Sequence, residues 1–352
     1  MTGNQHRTFV YVGLAGEGEN IGQGGLYRLE EGEEKWEPVT NGLPENPQVR
    51  ALLIHPENPK IIYAGTNQGP YRSDDRGDNW HPMGTPRDGM NVWSLAFRPH
   101  NTQVIYAGYE PFGIYRSEDG GQSWQETDTS RVGFPDVTTY MPPLAKRVID
   151  IAFDPSMPSD AYAAIEVGGL LATRDGGDSW DSITDGLYIG NNTVDLHGVE
   201  VNPVTSGLLF IITQVAMFRS RDRGVHWEHV RFGEMFPGGS YCRDLVIAPN
   251  DPKTMFLAAG AGGGGAPAGT EEAGALFQSN DSGETWKRVD IGEVPPSRMF
   301  QVAIDPLQPS QMYCCTGYGH IFSSHDHGVS WSMSKLPVAL SRRRHIYPMV
   351  CG

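Results

Sequence analysis

The 352-residue sequence has little lysine and no long apolar run. Only 6 of its 27 basic residues are lysines, and 42 acidic residues bring the net charge to −15. This balance argues against binding to nucleic acid or to an anionic membrane surface. No segment approaches the roughly 20 apolar residues of a membrane-spanning helix, and the N-terminal sequence lacks the apolar core of a signal peptide.

Cysteine is also scarce. The four cysteines, Cys242, Cys314, Cys315 and Cys351, have no metal-type spacing, and the adjacent pair is hard to bridge. Reduced thiols in a cytoplasmic protein are therefore predicted. The low lysine count leaves 21 arginines, the side chain best suited to binding planar carboxylates through two hydrogen bonds.

One phrase, Ser-x-Asp-x-Gly-x-x-Trp, recurs through the chain with small variations. RSDDRGDNW (72–80) and RSEDGGQSW (116–124) are its first clear copies. The aspartates of the six copies are Asp75, Asp119, Asp175, Asp222, Asp281 and Asp326. An altered seventh copy ends at Trp36, so seven of the eight tryptophans close a repeat, at intervals of 44, 44, 56, 47, 59 and 45 residues. Such a period indicates an array of supersecondary units.

Each period contains four short β patterns separated by turns. In residues 49–83, the strands VRALLIHP, IIYAGT and PYRS precede the turn DDRGDN, and Trp80 opens a fourth strand. No apolar periodicity of helix length interrupts this order. Four strands per unit are typical of a propeller blade, so the fold predicted is an all-β, seven-bladed β-propeller.

The repeat resembles that of the BNR, or Asp-box, propellers found in sialidases, xyloglucanases, sortilin-type receptors and photosystem II assembly factors. The resemblance rests on the six intact boxes and covers almost the whole chain. It implies the architecture but no single reaction, because these families share the repeat and not the chemistry. The Arg-Ile-Pro element expected in sialidases is absent, whereas GGLYRLEEGEEKWEPV (24–39) is similar to the first blades of xyloglucanases.

The chain is interpreted as one propeller domain, residues 1–352, whose ring closes between its two ends. Blade 1 is expected to combine residues 8–39 with 345–352, because RTFVYVGLAG matches a second strand and HIYPMVCG has the length of a first strand. Blades 2 to 7 are expected at about 49–83, 92–126, 148–182, 196–230, 242–289 and 299–334. Closure of this kind hides the edges that an open sheet would expose.

The box aspartates are interpreted as scaffold. Each carboxylate can accept hydrogen bonds from N–H groups of its own turn, the glycine supplies a positive φ, and the tryptophan packs between strands. These turns are expected on the face opposite the ligand mouth. A catalytic or calcium-binding role for them is therefore disfavoured.

Arginines converge at the starts of the predicted innermost strands, which surround the mouth of the central channel. The residues expected to bind substrate there are Arg50, Trp93, Arg147, Arg243 and Arg298, with Tyr140 from the long loop 125–147. Together they predict a small anionic ligand or an oligosaccharide, such as one that bears a uronate or a sialate. In the alternative interpretation, these arginines pair with Asp150, Asp195 and Asp244, which are adjacent in register.

Two kinds of catalytic group lie near that mouth. Asp150 and Asp244 share a register in blades four and six, and Glu110 and Glu166 fall in top loops; two facing carboxylates would serve glycoside hydrolysis. Alternatively, His197 or His345 with Tyr241 or Tyr140 would remove a proton α to a carboxylate, as in a lyase. No cofactor is predicted, and a divalent metal held by His197 and His345 is kept as an alternative.

Two classes of function remain open at this stage. The first is an enzyme, hydrolase or lyase, acting on a carbohydrate or other small anionic molecule at the channel mouth. The second is a non-catalytic propeller that binds a protein partner. The clustered arginines and histidines and the long loops favour the enzyme, and the glycine-rich segment 259–275 is either a lid or a surface hairpin.

Overall fold

The computed structural model describes residues 6–16, 22–87, 89–134, 146–187, 193–233, 235–236, 240–261, 274–341 and 344–352. In these ranges the chain forms 28 β-strands, numbered β1 to β28 in chain order, in seven sheets of four. The predicted all-β, seven-bladed propeller is confirmed. Within the same ranges, no helix is long and apolar enough to cross a membrane.

Each blade has an innermost, a second, a third and an outermost strand. The innermost strands, from blade 1 to blade 7, are β28 (His345–Cys351), β4 (Ala51–Ile54), β8 (Asn91–Arg98), β12 (Arg147–Asp154), β16 (Leu196–Val201), β20 (Ser240–Ile247) and β24 (Met299–Ile304). The second strands are β1 (Phe9–Ala15), β5 (Ile62–Thr66), β9 (Asn101–Glu110), β13 (Met157–Glu166), β17 (Leu209–Thr213), β21 (Met255–Ala261) and β25 (Met312–Thr316).

The outer half of each blade is shorter and more exposed. The third strands are β2 (Gly25–Glu30), β6 (Gly69–Ser73), β10 (Gly113–Ser117), β14 (Gly169–Thr173), β18 (Met217–Ser220), β22 (Gly274–Ser279) and β26 (His320–Ser324). The outermost strands are β3 (Glu37–Pro38), β7 (His81–Pro82), β11 (Gln125–Glu126), β15 (Asp181–Ser182), β19 (Glu228–Val230), β23 (Lys287–Arg288) and β27 (Ser332–Lys335).

The hydrophobic core lies between neighbouring blades. The second strands are apolar on both faces because a blade packs against each side of them: every residue of β5, β17, β21 and β25 is buried. Phe210 of blade 5 and Phe277 of blade 6, for example, belong to one cluster that joins the two sheets. Burying such side chains contributes about 1.5–3 kcal/mol each.

The ring closes between the two ends of the chain, as predicted. β28 pairs antiparallel with β1, with Val10 opposite Cys351 and Ala15 opposite His345. The N–H of Phe9 donates to the carbonyl of Gly352 at 3.0 Å, and the N–H of Gly352 donates back at 3.1 Å. Blade 1 therefore has an innermost strand supplied by the other end of the chain.

The box turns have the predicted geometry. At Asp119, the N–H and hydroxyl of Ser123 donate to the carboxylate at 2.9 and 2.6 Å, and the Ser117 hydroxyl donates at 2.8 Å. The Ser123 bonds, followed by that from Ser117, lower the pKa of Asp119 to about 2. Gly121 has φ = 90° and donates to the Ser117 oxygen at 2.7 Å. A box aspartate thus stabilises the hairpin turn in which it lies.

Candidate functional site

The innermost strands of blades 3 to 7 share an irregularity at one register. Each contains one extra residue relative to the second strand that it pairs with; these residues are Trp93, Ile149, His197, Arg243 and Phe300. A β-bulge of this kind interrupts the alternation of side chains between the two faces of a sheet. Consecutive side chains, such as Ile149 with Asp150 and Arg243 with Asp244, therefore line the same central cavity.

Three rings of residues follow from this register. The inner ring holds the extra residues and their equivalents in blades 1 and 2: Arg50, Trp93, Ile149, His197, Arg243, Phe300 and Tyr347. The bulge ring holds the residues that follow them: Ala51, Ser94, Asp150, Gly198, Asp244, Gln301 and Pro348. The rim ring holds residues two positions earlier, including Asn91, Arg147, Asp195, Tyr241, Arg298 and His345.

These rings surround a cavity of about 210 Å³ to which all seven blades contribute. Seven of the candidate residues from the sequence line it: Arg50, Trp93, Asp150, Glu166, His197, Arg243 and Asp244. Four others lie in the rim ring and contact the inner ring or one another: Arg147, Tyr241, Arg298 and His345. The structure therefore brings the candidate residues to one place. Tyr140 lies outside the described residues.

Four carboxyl groups line the cavity: Asp150 and Glu166 of blade 4, Glu200 of blade 5 and Asp244 of blade 6. Burial raises the pKa of Asp150 to about 6 and that of Asp244 to about 7, although hydrogen bonds from backbone N–H groups oppose the shift. Glu200 of the blade between them also lines the cavity. Burial, followed by the charges of Asp150 and Asp244, raises the pKa of Glu200 well above its usual value. Near neutral pH, some of these carboxyl groups are therefore protonated while others are ionised.

The bulge ring also links adjacent blades. The N–H of Val199 donates to Asp150 Oδ2 at 2.9 Å, and the N–H of Val302 donates to Asp244 Oδ2 at 2.7 Å. Ser94 at the same register donates its hydroxyl to the carbonyl of Val148 at 2.7 Å. Asp150 and Asp244 thus have a structural contact to the next blade in addition to their contact with the cavity.

His197 is held as a neutral imidazole. Its Nδ1 lies 2.6 Å from the carbonyl oxygen of Cys242; because a carbonyl only accepts, Nδ1 carries the proton. Burial, and next the charge of Arg243, lower the pKa of His197 to about 3. His197 is consequently a poor proton donor at neutral pH.

Arg147 forms ion pairs with glutamates. Its Nε lies 3.1 Å from Glu110, its Nη1 lies 2.8 Å from Glu166, and its guanidinium lies 4.5 Å from the Trp93 ring centroid. Arg147 therefore pairs with carboxylates, as the alternative raised from the sequence expected of the arginines, but the pairs shown here are with Glu110 and Glu166. The two glutamates end strands β9 and β13 and do not belong to loops.

Arg50 holds backbone at the mouth. Its guanidinium donates to the carbonyls of Gly16 and Gln48 at 2.9 and 3.3 Å and to Asn91 Oδ1 at 3.3 Å. It also lies 5.0 Å from the centroid of the Trp93 ring. Arg50 therefore binds Gly16, the residue that follows β1, as well as lining the cavity.

The remaining cationic and aromatic groups stack upon one another. The Arg243 guanidinium lies 4.5 Å from the Phe300 ring and 5.9 Å from the Tyr347 ring. Arg298 lies 4.4 Å from the Tyr241 ring. The His345 ring stacks on Tyr347 at 4.5 Å. Cation–π contacts fix the position of a guanidinium and leave its charge in place.

Tyr347 and Glu200 are two of the cavity residues that the sequence interpretation missed. In blade 1 the residue equivalent to Trp93 and Arg243 is Tyr347, whereas we expected His345, which lies in the rim ring. The two-residue difference arises because the bulge is visible only once β28 is paired with β1. Glu200 was missed because its inward orientation depends on the bulge at His197.

A resident metal has no evident ligand set here. Among the described residues, no group of three or more His, Cys, Asp or Glu side chains has an arrangement that could hold a metal ion. His197 and His345, the alternative metal ligands from the sequence, lie in different rings. His197 lines the cavity and hydrogen-bonds to the carbonyl of Cys242, whereas His345 stacks on Tyr347 in the rim ring.

Comparison with known proteins identifies xyloglucanases and other propellers. No protein-family model matches the chain. A probable oligoxyloglucan-reducing end-specific xyloglucanase of Neosartorya fischeri is 25% identical over 325 residues, which are 78% of this chain and 38% of that protein. The chain spans 14% to 38% of the length of the curated xyloglucanases that it matches.

Two solved structures show the same fold. The GH74 xyloglucanase from Xanthomonas campestris superimposes with a TM-score of 0.66 at 17% identity, over 87% of this chain and 50% of that one. YCF48 bound to D1 peptide superimposes with a TM-score of 0.57 at 17% identity, over 90% of this chain and 89% of that one. These structures share the β-propeller fold that the repeat predicts.

Proposed function

We propose that this protein is a glycoside-hydrolase-like enzyme that acts on a carboxylate-bearing carbohydrate at the mouth of its central channel. The observation that supports it best is the pair of carboxyl groups, Asp150 and Asp244, which face one cavity from equivalent bulges. Glycoside hydrolysis needs one protonated and one ionised carboxyl group. With pKa values of about 7 and about 6, Asp244 is the proposed acid and Asp150 the proposed base or nucleophile.

The environment of the other groups favours hydrolysis over elimination. Among the described candidates for a lyase base, His345 stacks on Tyr347 at the rim, which leaves His197 and Tyr241 next to the cavity. His197 has a pKa of about 3 and is a weak base, while burial raises the pKa of Tyr241 and keeps its phenol protonated. The carboxyl groups are better matched to proton transfer near neutral pH.

The cationic side chains support an anionic substrate. Arg243 lines the cavity next to Asp244, and Arg298 lies in the rim ring. Arg50, Arg147, His345 and Trp93 complete the proposed binding surface, with the first two also holding the mouth in shape. A guanidinium recognises a carboxylate by paired, charge-assisted hydrogen bonds.

The relatives support carbohydrate as the substrate class. The curated proteins that match the chain are xyloglucanases. Because the chain spans less than half of their length, their activity enters only as support for this proposal. The four cysteines are free, buried thiols, which is in keeping with the cytoplasmic location proposed from the sequence.

The test is hydrolysis of a panel of uronate-containing and neutral oligosaccharides, followed as released reducing sugar. Asp244→Asn is expected to lower kcat by at least about a hundredfold, since general acid catalysis contributes on that scale. Asp175→Asn, which changes a box aspartate far along the blade, is the matched control and should keep its activity if it folds. Equal activity in Asp244→Asn and the parent protein would refute the assignment.

A non-catalytic, partner-binding propeller is the second candidate. It is favoured by the likeness to YCF48, which matches this chain over nearly the full length of both molecules, whereas the xyloglucanases are much longer. In that case the cationic mouth would hold an acidic or C-terminal carboxylate of a partner protein. Affinity for acidic peptides that is lost in Arg243→Gln, with no hydrolysis of any glycan, would favour this function.

A further inference from the structure

We infer that the cavity accepts a single terminal sugar ring bearing a carboxylate, so that the enzyme removes one residue at a time from a chain end. The inference rests on the proposed function and specifies the substrate of the same site. The cavity of about 210 Å³ is somewhat larger than a cavity of roughly 150 Å³ that holds one benzene ring, so it has room for one sugar ring. Pockets for larger ligands start at roughly 300 Å³.

The charges inside the cavity fix how such a ring would lie. Arg243 and Asp244 are neighbours that the bulge directs to the same side. The field of Arg243 reaches the interior, because it lowers the pKa of His197. Asp150, Glu166 and Glu200, which belong to the two preceding blades, make another part of the lining acidic. A substrate carboxylate is attracted to Arg243 and repelled by this cluster, so only one orientation is favourable.

This orientation places the scissile bond beside the acid. With the ring carboxylate at Arg243, the adjacent Asp244 lies beside the same ring, and the remaining glycan leaves past the rim ring. Asp244 gives its proton to the leaving oxygen as the bond to the anomeric carbon breaks. Asp150, as the base, takes a proton from the water whose hydroxyl joins that carbon, and exchange through solvent then moves this proton from Asp150 to Asp244, so that both groups return to their starting states. The products are a free uronate and a glycan shortened by one ring.

Binding of a single ring can be measured without turnover. Sodium glucuronate and glucose differ only at C6, and Trp93 in the cavity lining reports occupancy by its fluorescence. We expect glucuronate to change the emission and to bind at least about tenfold more tightly than glucose. Trp93→Phe should remove the signal. Equal affinity for both sugars, or no binding of glucuronate, would overturn the inference.

Two variants of Arg243 and one control variant test the role of this arginine. Arg243→Gln should abolish the preference for glucuronate, and Arg243→Lys should retain part of it because the charge remains. Arg131→Gln, at an exposed arginine paired with Asp181, is the control and should bind like the parent. Melting temperatures of all three separate a loss of binding from a loss of folding. An unchanged preference in a folded Arg243→Gln protein would contradict the assignment.

Product analysis separates this inference from the proposed function. An end-labelled oligosaccharide with a terminal uronate should release that residue first, without internal fragments. Internal cleavage would overturn the single-ring inference and leave the hydrolase intact. Tight, Arg243-dependent binding of glucuronate without any cleavage would support the single-ring site and refute hydrolysis.

Discussion

Replacing Asp244 by asparagine is expected to make the folded protein more stable above neutral pH. In the folded protein the pKa of Asp244 is raised from 3.8 to about 7, chiefly by burial. The ionised carboxylate is therefore disfavoured in the fold relative to the unfolded chain. This penalty is fully present above pH 7 and is relieved as the pH falls through 7 towards 4.

The magnitude follows from the shift. At 1.36 kcal/mol per pKa unit, the penalty is on the order of 4 kcal/mol at pH 8, where the carboxyl is ionised in both states. Asparagine carries no charge, and its Oδ1 can still accept the Val302 N–H that Asp244 accepts at 2.7 Å. Loss of the charge also lowers the pKa of Glu200, which Asp244 raises. For a chain of this length, 4 kcal/mol corresponds to a rise in Tm of roughly 5 °C.

The assay is thermal and urea unfolding of both proteins at pH 5 and pH 8. The gain from Asp244→Asn should be less than half as large at pH 5, because the folded carboxyl is then protonated. Asp175→Asn is the control, and it should change the stability in the opposite direction. Burial would raise the pKa of Asp175, but bonds from Ser179 and Thr173 outweigh it and lower the pKa to about 2. Its ionised form stabilises the fold above pH 4. Destabilisation of Asp244→Asn at pH 8 would refute the reasoning.

Two further perturbations test the architecture around the site. Arg147→Met leaves Glu110 and Glu166 without their ion pairs and should cost about 3–5 kcal/mol of unfolding free energy in urea; unchanged stability would show that these pairs are not structural. Removal of residues 346–352 takes β28 from blade 1 and exposes the edge of β1. Size-exclusion chromatography should then show aggregation or unfolding, and a folded monomer would contradict ring closure.

The architecture was predictable because it repeats. Seven tryptophans at similar intervals, each preceded by the same turn, indicate blades without any knowledge of pairing. Closure of the ring could also be predicted, since HIYPMVCG has no further strands after it with which to form a blade. The local bonds of the boxes followed from residue type alone, as Asp119 and Ser117 show.

The position of the site could be predicted from the sequence, but only some of the residues that form it could. Residues at the starts of the innermost strands were expected around the channel, and Arg50, Trp93, His197 and Arg243 do line the cavity; their roles in binding and catalysis stay predictions. The bulge was invisible, because an extra residue in one strand is defined only against the partner strand. That single feature explains why Tyr347 and Glu200 were missed. The partners of Arg147 were missed because Glu110 belongs to the neighbouring blade, and Glu166 is opposite Arg147 only once β12 is paired with β13.

Within the bulge ring, residues that only link the blades can be distinguished from residues that also serve the cavity. Linking one blade to the next at this register requires only a group that can bond the neighbouring strand. Gln301 does so with a neutral amide, accepting the N–H of Met349 at 3.4 Å. Asp150 and Asp244 make the same kind of link with carboxylates whose ionisation the fold disfavours. Folding alone does not require these charges, so a stabilising Asp244→Asn substitution that abolishes activity would show that they serve the chemistry of the cavity.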